Sequence, residues 1–302
     1  MSPKAVARAL PTLVALVFLW GAFALFRGSI SDTATTLALP ALTMADVDRI
    51  ELAHGGDTVR FTKRDGNWDV NGYPAEFAQV GQLFGWLTDS TLTSELIARN
   101  PASHGRLGVD SSGRRVTFRN GAERVLDLIV GTSGRGFQTA YARQATADEV
   151  FLVRGSLGSL VSRGVDSWRD RRVAGIAAEA VHQVAIRRGR DQTVLRRDGV
   201  QWMVGDSPAD TAAVGRLLRA LADITAIGFA TEAEADSVDF RNANRRLTVL
   251  GSAADTLLDL MVDSTAAGYW VRRGSRPEVF RLDFWRIDEL TPTAGALRGG
   301  GS

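Results

Sequence analysis

The sequence predicts an α+β protein made of two tandem copies of an antiparallel sheet covered by a helix, after one N-terminal transmembrane helix. Three observations carry that prediction. The chain of 302 residues contains an internal duplication; each copy opens with period-two hydrophobic alternation broken by turn residues; and an uncharged apolar run stands near the N-terminus. With 45% hydrophobic residues the chain can bury one large core or two of ordinary size.

The N-terminal element comes first. Lys4 and Arg8 precede an uncharged run from Ala9 to Phe26, and Arg27 closes it. Such a run is long enough to span a hydrocarbon core as a helix. The positive-inside rule places Lys4 and Arg8 in the cytoplasm and the body of the chain outside. Ala22-Phe23-Ala24 also fits a cleavage site, so a removed signal peptide is the alternative. A buried helix of a soluble domain fits less well, because no polar face interrupts the run. The expected protein is therefore single-pass in the cytoplasmic (inner) membrane, with an extracytoplasmic body. Residues 1–27 form the anchor or signal. Residues 28–45, rich in Gly, Ser, Thr and Ala, read as a stalk.

The duplication fills the rest. "VDRIELAHGGDTVRF" from Val47 aligns with "VHQVAIRRGRDQTVL" from Val181. The register then matches Trp68 with Trp202, Pro74 with Pro208, Val80 with Val214 and Leu83 with Leu217. After a small deletion it continues: "RRVTF" from Arg114 meets "RRLTV" from Arg245, "LDLIV" from Leu126 meets "LDLMV" from Leu258, and "EVFLV" from Glu149 meets "EVFRL" from Glu278. Ordered, evenly spaced matches of this kind mark two copies of one unit. The first repeat is assigned to 46–173, the second to 174–290, and 291–302 to a flexible tail.

Within each repeat the elements follow from pattern. Ile50 and Leu52, Val59 and Phe61, and Trp68 and Val70 alternate with polar neighbours, which predicts a three-strand meander turning at Gly55-Gly56 and Asp65-Gly66. A helix follows, near 75–89 in the first repeat and 208–223 in the second. Phe77, Val80, Leu83, Phe84 and Leu87 share one face of it, as do Val214, Leu217, Leu218, Leu221 and Ile224 in the second. Ser207 before Pro208 reads as the helix cap, with Pro208 as the first helical residue. Strands then return at 114–119, 125–130, 138–143 and 150–152. Hairpins outnumber helices, so parallel βαβ units are disfavoured.

"SWRDRRV", from Ser167 to Val173, ends the first repeat and leads into the second. Trp168, Arg169, Asp170, Arg171 and Arg172 are the possible interaction or seam residues. Acids interleaved with bases point to internal pairing across a domain junction; an anion-binding arginine cluster is the functional alternative.

No catalytic, cofactor-binding or metal residue is assigned. Lys+Arg is 36 against 34 for Asp+Glu, a net charge of +2, which is too even for a nucleic-acid binder. The absence of cysteine excludes disulfides, thiolate metal sites and a lipidated cysteine. His54, His104 and His182 have no metal-ligand spacing and read as surface or loop residues. "GTSGRG" from Gly131 precedes a strand rather than a helix, so it reads as a hairpin loop, not a phosphate cradle. The acids Glu232, Glu234, Asp236 and Asp239 lack the spacing of a calcium loop and read as a solvated loop. Arg187, Arg188, Arg190, Arg196 and Arg197 read as a solvated sheet edge, with anionic lipid as a second possibility.

The strand-hairpin opening, then "GNWDVNGYPAEFAQVGQLFGWL", then "RLGVD" from Arg106, then "WRDRRV" resembles the bacterial family called domain of unknown function 4340. The resemblance covers about 47–173 well and the second repeat less well, since that copy lacks the "RDRR" ending. It implies a membrane-anchored envelope protein, often the extracytoplasmic accessory of an ABC-type exporter like that linked to gliding motility, with a transporter permease as partner. No catalytic residues are established for that family, so none is carried over. The expected function is therefore an accessory or scaffold without catalysis or cofactor. The alternative is an envelope hydrolase or ligand-binding protein.

Overall fold

The structure is a computed structural model that describes residues 36–88, 93–266, 268–274 and 276–298. The anchor or signal expected at 1–27 lies outside the described residues. Among the described residues no helix is long and apolar enough to cross a membrane. The chain divides into two compact units, 1–165 and 166–302.

The first unit is a nine-stranded antiparallel sheet. The meander is β1 (Arg49–His54), β2 (Asp57–Arg64) and β3 (Asn67–Val70), with the two-residue β4 (Tyr73–Pro74) at the edge. Ile50 stands opposite Phe61, and Phe61 opposite Val70, so alternate residues share the buried face. The β2–β3 turn holds Asp65 at φ 50° and Gly66 at φ 83°. Positive φ at both central residues matches the strand twist, and Asp-Gly supplies it at little cost. Helix α1 (Phe77–Thr88) then carries the chain to the opposite edge, where β5 (Ser94–Ala98) pairs with β9. The strand order is β4-β3-β2-β1-β6-β7-β8-β9-β5, with β6 (Arg114–Asn120), β7 (Glu123–Ser133), β8 (Thr139–Gln144) and β9 (Val150–Arg154). Helices α2 (His104–Leu107) and α3 (Leu157–Val161) complete the unit.

Val80, Leu83, Phe84, Trp86 and Leu87 of α1 are buried. Phe77, expected on that face, is instead 60% exposed. It is the first helical residue, a turn ahead of Val80. His104 is also not a loop residue: it opens α2, is buried, and its Nε2 lies 2.9 Å from the Asp148 carbonyl oxygen. Ahead of β1, Leu37 and Leu42 are buried and the Leu37 amide donates to Ser94 Oγ at 2.8 Å, so 36–45 lies against the first unit.

The second unit repeats the plan. Its sheet order, β14-β13-β12-β11-β17-β18-β19-β20-β16, is the first unit's order element for element. The strands are β11 (Gln183–Arg188), β12 (Asp191–Asp198), β13 (Gln201–Val204), β14 (Ser207–Pro208), β16 (Gly228–Phe229), β17 (Arg245–Leu250), β18 (Thr256–Thr265), β19 (Gly268–Arg273) and β20 (Val279–Leu282). Helix α4 (Thr211–Ala222) corresponds to α1, α5 (Glu232–Asp236) to α2, and α6 (Phe284–Leu290) to α3; α7 (Ala294–Leu297) follows. A separate two-stranded pair joins β10 (Arg172–Ala174) to β15 (Ile224–Thr225). The protein is thus mostly antiparallel β with a few helices, in two large sheets that fit two copies.

Several expectations change here. Ser207 and Pro208 do not start α4. They form β14, pairing with Val204 and Met203, and the cap is Asp210, whose Oδ1 accepts the Ala213 amide at 2.7 Å. Proline suits an edge strand, where no partner asks for its missing N–H. Ile224 lies beyond the helix, on β15. The acidic run is a capped helix rather than a loop: Thr231 and Glu234 form a reciprocal capping box on α5, and Asp239 caps the next turn. The basic cluster is not at an edge, because β11 and β12 sit inside the sheet. Residues 291–298 are ordered against the unit, with Thr291 and Leu297 fully buried.

Candidate functional site

The site is built from a pair of arginines that begins β6 and β17 in both repeats. Alternation sends the two side chains to opposite faces. The second arginine faces outward. Arg115 makes a bidentate pair with Asp127 at 2.8 and 2.6 Å, and Thr117 Oγ1 lies 3.4 Å from the same carboxylate. Arg246, Asp259 and Thr248 repeat this at 2.8, 2.8 and 3.4 Å. Burial raises the Asp127 carboxyl, but the Arg115 hydrogen bonds and the charges of Arg115 and Arg124 outweigh it and hold the group below its ordinary 3.8.

The first arginine faces the helix-covered side, at the end of the row formed by Val116 and Phe118 in one copy and Leu247 and Val249 in the other. Here the copies differ. In the second repeat Arg245 donates to Asp288 Oδ1 at 2.5 Å and to Thr291 Oγ1 at 2.9 Å, and Arg188 reaches the same Asp288 oxygen at 3.1 Å. The Arg245 guanidinium stands 5.9 Å from the Tyr269 ring centre. In the first repeat the corresponding place is a cavity of about 410 Å³, lined by Arg114, Thr132, Ser133, Thr139, Ser159 and Ser162 among others. Arg114 is half-buried and has no ion pair or side-chain hydrogen bond among the described residues. The cavity takes in Gly131 and Gly136 of the "GTSGRG" segment, whose first three residues end β7 and whose last three begin the hairpin connection to β8. Sequence reading missed the site, whose wall is assembled from elements far apart in the chain.

The predicted seam residues all fall within the second unit, since the division lies at Val165/Asp166. Trp168 is fully buried. Arg169 is 8% exposed, pairs with Asp166 at 3.1 Å, and lies 3.5 Å over the Phe229 ring. Asp170 accepts the Arg172 amide at 2.9 Å. Arg171 accepts the Ala226 amide through its carbonyl, and Arg172 opens β10. The side chains of Arg171 and Arg172 are exposed, so the five residues divide between core and surface. No group of three His, Cys, Asp or Glu that could hold a metal occurs among the described residues.

A family model for a domain of unknown function (DUF4340) matches residues 68–243, more than half of the chain. The chain belongs to this family. The DUF4340 match runs from Trp68 on β3 to Ala243 ahead of β17, and so takes in every residue lining the open cavity. Arg245 and Asp288, which close the equivalent place, lie beyond it. No curated protein and no solved structure matches the chain.

Proposed function

We propose that this DUF4340 protein is a membrane-anchored extracytoplasmic accessory or scaffold that docks on an ABC-type transporter permease or another envelope complex and has no chemistry of its own. The duplicated architecture supports this reading: one nine-stranded plan is built twice in a chain whose N-terminal run, Ala9 to Phe26, carries no charge between Arg8 and Arg27. Two like sheets behind one anchor give a tethered protein a repeated surface to present. The test is a pair of reporters fused after Ser302, alkaline phosphatase and a cytoplasmic one, together with crosslinking in membranes. Phosphatase activity and a crosslinked permease are expected. Activity of the cytoplasmic reporter alone would remove the topology on which the proposal stands.

One observation favours a second reading, a ligand-binding protein. The first repeat keeps a cavity of ligand size at the place its twin fills with an ion-pair network.

A further inference from the structure

We infer that the first-repeat cavity binds a small anion, a carboxylate or a phosphate ester, seated on Arg114 where the second repeat seats the carboxylate of Asp288. The inference deepens the ligand-binding reading and rests on it, but needs no particular membrane topology.

The equivalence is fixed by register. Arg114 stands opposite Val130, and Arg245 opposite Val262. Val130 stands opposite Ala142, and Val262 opposite Val271, which sets Ala140 against Tyr269 two residues earlier. The buried residues Leu157, Leu160 and Val161 of α3 match Ile287, Leu290 and Thr291 at the end of α6. That match sets Gly158 against Asp288. Gly158, Ala140 and Val161 all line the cavity with Arg114, as their counterparts surround Arg245.

Four exchanges therefore empty the site, one of them at Arg188, the second arginine on Asp288, whose place His54 takes. Asp288, the internal anion, is replaced by Gly158. Tyr269 is replaced by Ala140, and Thr291 by Val161. Only the arginine of β6 and β17 is kept, as Arg114. A half-buried guanidinium without a counter-charge is costly, and a planar carboxylate, or two oxygens of a tetrahedral phosphate, offers it two parallel hydrogen bonds. The second repeat shows the chemistry completed: the Asp288 oxygen takes donors from two arginines and sits one turn from Thr291. The cavity, about 410 Å³, is larger than a bare phosphate or carboxylate needs. Ser159, Ser162 and Thr132 in its wall suit the hydroxyl- or amide-bearing remainder of an organic acid or phosphate ester.

The test uses the full chain, purified in detergent, with inorganic phosphate, acetate and glycerol as probes at fixed ionic strength. Ligand-observed NMR and thermal shift are the readouts. Saturable binding of phosphate or acetate is expected, with glycerol inert. Arg114→Gln should weaken that binding by roughly tenfold or more. Gly158→Asp, which supplies the internal carboxylate, should abolish it. A Cβ on Gly158 would stand 3.2 Å from Ala140 Cβ, so folding of that variant is checked by circular dichroism, and Arg114→Gln gives an independent answer. Equal anion binding by the wild type and Arg114→Gln overturns the inference, as does no binding of either anion. Glycerol binding that Gly158→Asp abolishes and Arg114→Gln spares overturns the anion but leaves the ligand-binding reading standing. Capture on phosphatidic acid vesicles without any response to the free ions overturns it by making the anion a lipid headgroup.

Discussion

Asp127 illustrates how a single residue reports on its repeat. Its carboxyl is held low, so the sign of its contribution is fixed: the stabilisation is complete above the ordinary value of 3.8 and is lost as pH falls through the lower folded value. Asp127→Asn should therefore cost about 1 kcal/mol at pH 7, and the gap to wild type should close in urea unfolding below pH 3.8. A gap that persists there would assign the loss to something other than the ion pair. Trp68 makes a contrasting case. It is 3% exposed and packs 6.3 Å from Phe84, which stacks on Phe118 at 5.5 Å. Trp68→Ala should cost about 3–5 kcal/mol by thermal or denaturant unfolding. Trp202, its counterpart, is only partly buried, and its truncation should cost less. The shared position was legible from sequence; the unequal burial was not, because it depends on side chains brought in by other strands.

Among elements, the strands with strict alternation were the most legible. Ile50 and Leu52, or Val116 and Phe118, point their apolar side chains one way, and no other local structure satisfies that period. The helices were legible from 3.6-residue spacing, but their starts were not. Asp210 and Ser207 are both good caps by type, and only the pairing of β14 with β13 decides between them. Asp210→Ala should destabilise the protein by about 1 kcal/mol, whereas Ser207→Ala should have little effect; equal losses in thermal unfolding would restore Ser207 as the cap. The short β5 and β16 were missed because their backbone partners, β9 and β20, lie far along the chain, and two to five residues carry too little period to announce themselves. The cavity was illegible for a related reason. Its wall comes from β6, β7, β8 and α3, and what defines it is smallness at Gly158 and Ala140, which no motif marks.

At the scale of the whole molecule, the ordered matches between the halves foretold two sheets of one plan, and both sheets have it. Duplication carries a hazard that the plan answers. Every open sheet has a border whose N–H and C=O groups can recruit a stranger's backbone, and copying the sheet copies that border. At one edge of each sheet the outermost strand, β4 or β14, is two residues long and ends in an imino acid, Pro74 or Pro208. Their neighbours Ala75 and Ala209 send their amides inward to Trp68 and Trp202, so in the alternation of an extended chain the missing N–H of each proline is the one that would face outward. On the β4 and β14 sides, a growing fibril therefore meets no donor at the proline. Replacing both prolines with valine should leave the fold intact and raise the rate of concentration-dependent light scattering. The duplication thus repeats the blunted edge along with the sheet, and the β4 and β14 sides are kept from becoming seeds for polymers.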